Sequence, residues 1–262
     1  MSTLAFYQYG SQVIAMIAGA FLADRIGRWV AFALAFAAGI AGTVVTSLIT
    51  DLPPEGDRQS LRDFAQVLKS RSLIRGTLLS TVFHFVCWGT VLGFTVNWAS
   101  GVIGLSTAQL GFLSAAYLLP NTFTSRLAGS IEAKIGRRNL LTCGFVIVAC
   151  ASWLYSLTAS AVSLFAVQIM FGCGMGMIVP MTMADAITDI PGEKRGAAMG
   201  FYQSIYGVGM FLGPLIAGAV VDAHSTAEDI VSGYKANFGV MALIALLGAA
   251  LAFIFTERKA QK

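Results

Sequence analysis

The chain has 262 residues, 56% of them hydrophobic and 11% charged, with a mean hydropathy of +0.75 and a net charge of +4. A soluble domain carries about 25% charged residues, so too few polar side chains remain here to coat a water-facing surface. That excludes a soluble globular or nucleic-acid-binding protein and requires a surface that mostly faces lipid.

Runs of roughly 20 mostly apolar residues, long enough to cross ~30 Å of hydrocarbon, lie at about 4–23, 29–50, 76–99, 107–127, 139–158, 161–184, 196–221 and 236–257. Each must be helical, because lipid offers no partner to an unpaired backbone group. Stretches such as VAFALAFAAGIAGTVV also lack the polar–apolar alternation of a barrel strand. The fold class is therefore an all-α integral membrane protein with eight transmembrane helices. The first run has neither a basic segment before it nor a cleavage site after it, so it does not read as a signal peptide.

In chain order, span one carries Gln8 and Gln12 one turn apart, and span two is plain. Asp51 to Gly76 is the long polar segment. Pro53-Pro54 stops span two, and Leu61, Phe64, Val67 and Leu68 then share one face of a short amphipathic helix. Span three holds His84, Trp88 and Asn97, and span four holds Tyr117 and Asn121. Span five is plain, span six holds Gln168, span seven holds Tyr202, Gln203 and Tyr206, and span eight is plain again. An amide in hydrocarbon is costly unless paired, so these side chains should face the interior. There they either join helices by hydrogen bonds or line a solute cavity. His84 is the titratable group well inside a span. It is either a proton switch or a neutral, hydrogen-bonded side chain. Cys87, Cys143, Cys150 and Cys173 sit in apolar runs without C-x-x-C spacing and read as small core residues. No Ser-His-Asp set, metal cluster or pair of intramembrane carboxylates can be assembled, and the intramembrane glycines are followed by no phosphate-loop Lys-Ser/Thr. An enzyme is not indicated, and no cofactor or metal is implied.

The basic residues are one-sided. Of 17, the loops after spans two, four and six and the C-terminal tail hold all but Arg25, Arg28 and Lys235. That bias places both termini and those loops in the cytosol. The chain also repeats itself. FYQYGSQVIAMIAGAFLAD from Phe6 returns as FYQSIYGVGMFLGPLIAGAVVD from Phe201, as if spans one and two correspond to spans seven and eight. Secondary transporters are commonly built from such repeats.

GSIEAKIGRRNLL, Gly129 to Leu141, resembles the cytoplasmic Gly-x-x-x-Asp-Arg/Lys-x-Gly-Arg-Arg/Lys motif of the major facilitator superfamily. Gly129, Lys134, Gly136, Arg137 and Arg138 match, and Ala133 stands where the family has Asp. GVGMFLGPLIAG, Gly207 to Gly218, resembles the family's eleventh helix, and the Pro53-Pro54 segment resembles the loop between its halves. The resemblance covers nearly the whole chain and implies the last eight helices of twelve, with four preceding ones missing. Residues 1–50 would then be the last two helices of an N-terminal half, 51–75 a cytosolic linker, and 76–262 a complete six-helix C-terminal half. GAFLADRIGR, Gly19 to Arg28, is close to the same motif but falls outside in this register. The resemblance also implies a latch, in which Lys134, Arg137 and Arg138 pair with acids on a neighbouring helix end; a role in topology against anionic lipid is the other reading.

The reading is a secondary transporter of a small organic solute working by alternating access in an inner (plasma) membrane. Efflux is favoured because the nameable cavity residues are aromatic and uncharged, and protons are a candidate coupling partner. Two features depart from a drug–proton antiporter: Ala18-Gly19 stands where the family's antiporter signature has Gly-Pro, and the carboxylates that proton-driven members carry on the first and fourth helices are lacking. The rival reading is a non-transporting membrane scaffold with the same fold. Cavity candidates are Gln8, Gln12, His84, Trp88, Tyr117, Asn121, Gln168, Tyr202, Gln203 and Tyr206.

Overall fold

The computed structural model describes residues 2–27, 29–48, 67–226 and 228–256. The Gln8 side chain, Arg28, Pro53-Pro54, Leu61, Phe64 and the basic residues of the linker before Val67 and of the tail after Thr256 lie outside the described residues.

Helix α1 is Ser2–Arg25 and α2 is Trp29–Ser47. The third span is broken: α3 (Arg71–Cys87) passes through a π-helical turn at Trp88–Leu92 into the short α4 (Thr95–Trp98) and a second π turn at Ala99–Ile103. The fourth divides at Tyr117 into α5 (Thr107–Ala116) and α6 (Leu118–Ile135). Four unbroken helices follow: α7 (Arg137–Tyr155), α8 (Ala161–Thr188), α9 (Arg195–His224) and α10 (Val231–Phe255). Six of these rods are long and apolar enough to cross a membrane. With α1 and the α5–α6 rod they make the eight expected from sequence.

Helix ends follow local chemistry. Ser70 caps α3 by accepting from the Leu73 amide, and Ser106 with Gln109, like Ser160 with Ser163, forms a reciprocal capping box. The helices overrun the apolar runs because membrane-water boundaries do not end a helix. Thus α3 begins at Arg71 rather than 76, and α8 continues to Thr188 rather than 184. Pro180 and Pro214 are accommodated inside α8 and α9, whereas the division of the α5–α6 rod lies beside Pro120.

The core is a layer of large side chains between α3, α7, α8 and α10, with Phe83, Phe145, Phe171, Phe238 and Tyr155 fully buried. Helix α8 is central and touches α3, α5–α6, α7 and α9. Helix α9 lies along α3, and α10 lies against α7 and α3. So α7 and α10 are not plain lipid-facing supports. Each buries one face, and α10 contributes the fully buried Asn237, whose Nδ2 donates to the Gly89 carbonyl opened by the first π turn (3.0 Å). Helix α1 packs on α5 and α6, and α2 packs on α1. Helix α2 buries no residue, with Phe32 and Phe36 more than 70% exposed.

Candidate functional site

Two polar constellations interrupt the apolar bundle. The first lies at one end, where the turn between α6 and α7 is made. Gly136 adopts φ +82 and ψ 154, a region essentially open only to glycine. The reversal brings Glu132, in the last turn of α6, against Arg137, the first residue of α7, whose Nε donates to Oε1 at 2.8 Å. The same guanidinium donates to Asp185 Oδ1, and Arg75 at the start of α3 donates from Nε to Oδ2 at 2.9 Å. The Asp185 side chain is 0% exposed, against 19% and 24% for the two arginines. A carboxylate without water is stable only with such compensation. The crossing that delivers Arg75 is close: a Cβ on Gly76 would sit 2.6 Å from the Thr182 carbonyl and 2.9 Å from Asp185 Cβ.

Of the expected latch residues, Arg137 is therefore in an ion-pair cluster. Arg138 instead lays its guanidinium over the Phe253 ring of α10 at 3.5 Å. Lys134 is exposed, and so is Gly129, where an added Cβ would meet nothing within 4 Å among the described residues. The acid that Arg137 meets is Asp185. It lies inside α8, three residues before its end, and is wholly buried. The crossing of α3 over α8 buries it.

The second constellation lies nearer the middle of α3, roughly 13 Å from Arg75 at 1.5 Å per residue. His84 stacks on Tyr206 of α9 with ring centroids 4.2 Å apart and planes inclined by 14°. Tyr202, one turn before Tyr206, meets it edge-on at 5.1 Å. The Tyr202 hydroxyl accepts from Ser80 Oγ at 2.8 Å and lies 3.0 Å from Thr182 Oγ1. Helices α3, α9 and α8 are thus tied by one polar column. Neither Ser80 nor Thr182 stood among the expected residues, because a hydroxyl in an apolar run usually bonds its own helix.

The other candidates do not join this group. Gln168 is buried and bridges helices, accepting from the Tyr155 hydroxyl and donating to the Leu113 carbonyl at 3.2 Å. Asn121 is fully buried; its Oδ1 accepts from Ser125 and its Nδ2 has no partner among the described residues. Tyr117 is buried at the α5–α6 division, and Trp88 opens the first π turn half-buried. Gln12 and Gln203 are exposed on their helices.

The bundle thus has two interrupted spans, a charged cluster at one end and an aromatic–polar group near the middle of α3. Residues 77–262 match the Major Facilitator Superfamily, and the chain belongs to that family. It is 29% identical to the multidrug transporter protein MdtP of Bacillus subtilis over 153 residues, 58% of this chain and 28% of MdtP. It is 25% identical to the quinolone resistance protein NorA of Staphylococcus aureus over 143 residues, 54% of this chain and 36% of NorA. It is 23% identical to the riboflavin transporter RibZ of Clostridioides difficile over 155 residues, 59% of this chain and 34% of RibZ. The matched stretches thus span about a third of these relatives. Among solved structures, a bacterial homologue of the human lysosomal transporter Spinster, inward-facing, superposes with a TM-score of 0.68 at 16% identity, over 88% of this chain and 60% of that one. The Escherichia coli fucose:proton symporter FucP gives 0.58 at 11% identity, over 84% and 54%.

Proposed function

We propose that this chain is part of a secondary transporter that exports a small, planar organic solute by alternating access, with protons as the coupling ion. Residues 1–50 are the last two helices of an N-terminal half and 76–262 the C-terminal half, joined by 51–75. The end carrying Arg75, Asp185 and Arg137 faces the cytosol. The observation that carries the reading is the His84–Tyr206 stack: a half-buried pair of flat rings at mid-depth, on the two helices α3 and α9.

Flat, uncharged faces bind flat solutes, whereas a sugar phosphate or dicarboxylate would call for a cationic side chain at that depth. Two relatives are named for a quinolone and for riboflavin, both planar ring systems. MdtP is named a multidrug transporter, which favours the outward direction. The Asp185 cluster suits a latch, because a carboxylate held by arginines from α3 and α7 ties three helices at one end and lets go only if water or another partner replaces it. The test is proteoliposome transport by the twelve-helix protein of which this reading makes the chain part. Movement of a fluorescent planar dye driven by an imposed pH gradient is expected, and its absence favours the scaffold reading.

A further inference from the structure

The geometry points to His84 being held as its Nδ1–H tautomer, with Nε2 left as an acceptor for an N–H or O–H of the solute; Tyr202 is the residue that fixes this choice. The proposal rests on the transport reading above and names the chemical class of solute that the same site takes.

A neutral imidazole donates from one nitrogen and accepts at the other, and its neighbours decide which. His84 Nδ1 lies 2.8 Å from the Ser80 carbonyl, a group that can only accept. The Ser80 hydroxyl is the competing neighbour, 3.2 Å from the same nitrogen. If it donated to Nδ1, the proton would move to Nε2. That hydroxyl is already committed, because Ser80 Oγ donates to the Tyr202 hydroxyl at 2.8 Å. Tyr202 in turn has an acceptor in Thr182 Oγ1 at 3.0 Å, since Thr182 donates to the carbonyls of Val179 and Ile178 at 3.1 and 3.2 Å. Every hydroxyl proton in the column runs from α3 through α9 to α8, and none is left for Nδ1.

The other nitrogen is free. Nε2 has no partner among the described residues, and it is not among the polar atoms sealed from the accessible surface without one. It sits on a ring whose one face is covered by Tyr206. A planar solute reaching this edge meets a lone pair rather than a donor. The site therefore selects solutes that carry a hydrogen on nitrogen or oxygen and discriminates against their N- or O-alkylated counterparts. A site built to accept one hydrogen bond rejects an analogue that lacks the donor more strongly than it rejects a change in apolar bulk.

The test needs no transport. The chain, labelled with ¹⁵N-histidine and held in nanodiscs at about pH 8.5, two units above the ordinary histidine value of about 6.5, gives two histidine signal sets, and His84→Gln assigns them. The expected result is a protonated Nδ1 and an unprotonated Nε2. Indole, which carries one N–H, should displace the Nε2 resonance saturably, and N-methylindole should leave it in place. Tyr202→Phe releases the Ser80 hydroxyl and should transfer a measurable fraction of His84 to the Nε2–H form. A wild-type signal with the proton on Nε2 overturns the tautomer, and an Nε2 resonance that ignores indole or answers both probes alike overturns the acceptor role. A Tyr202→Phe spectrum identical to wild type overturns the positioning role of Tyr202. If the spectra come out as expected while the twelve-helix protein moves no solute, the transport reading fails and this assignment stands.

Discussion

At Asp185 one carboxylate answers two guanidinium groups, and neither arginine is as deeply buried as the acid. Removing one partner of a buried ion pair costs about 3–5 kcal/mol, because the remaining charge stays out of water. Here Arg75 and Arg137 keep some solvent, so Asp185→Asn should sit at the low end, about 3 kcal/mol. Melting in detergent followed by tryptophan fluorescence measures it; an Asn variant as stable as wild type would show that the cluster holds nothing together. His84 is the second residue whose charge state has consequences. A group that titrates in one conformational state and not the other shifts their balance by about 1.4 kcal/mol per pKa unit of difference. His84→Gln keeps a hydrogen-bonding side chain and removes the titration. Transport by the twelve-helix protein should persist but lose part of its pH dependence. A pH profile unchanged by the substitution moves coupling away from this ring.

At the scale of elements, the α6–α7 turn is where a sequence motif becomes geometry. Gly136 sits in a conformation that a side chain resists by about 1–3 kcal/mol, although a Cβ there would have open space around it. Gly136→Ala should therefore destabilise by that amount through backbone strain alone. It should also loosen Arg137 from Asp185, so its effect and that of Asp185→Asn should combine to less than their sum. Thermal melts of the two single variants and the double give the coupling; strict additivity would mean the turn does not position the arginine. The motif glycine and arginine were legible in the sequence, since both follow from residue type and spacing. The break in the third span was not, because Gly89 and Gly93 opened a π turn only where α9 and α10 pack against them and Asn237 takes up the freed carbonyl.

For the whole molecule, the ion cluster provides a check on topology. Glu132 ends one helix, Arg137 begins the next, Asp185 lies near the end of the one after, and Arg75 begins α3. Their meeting requires these ends to share one side, which is the parity that the loop charges imply. In the topology proposed above, that side is the cytosol. In a cysteine-free background, a cysteine at Ser225, beyond α9, should react with an impermeant reagent added from outside, and one at Gly192, between α8 and α9, should not. The opposite labelling pattern inverts the protein. The contrast between α2, which buries nothing, and α10, which buries one face, has the same physical origin. Both are mostly apolar, and hydropathy alone does not tell a helix that buries nothing from one that has found a neighbour.

The Gly129–Leu141 motif carried the resemblance to one transporter family, whereas composition, span length and charge placement by themselves determined that this protein is a helical membrane bundle and how many rods it has. Each of these follows from the solvent, since hydrocarbon forces helices, fixes their length and repels charge. Which polar groups meet was decided by the tertiary structure. Gln203 and Tyr202 are adjacent in sequence, yet one is exposed and the other completes a hydroxyl column across three helices. Within a helix, neighbours point about 100° apart, so only the way α9 rests on α3 and α8 could choose between them. Asp185 is likewise one acid among several in the sequence; the crossing of α3 over α8 at Gly76 removes its water and brings Arg75, and the α6–α7 turn brings Arg137. A single helix cannot specify that environment, because the arginines that create it come from two others.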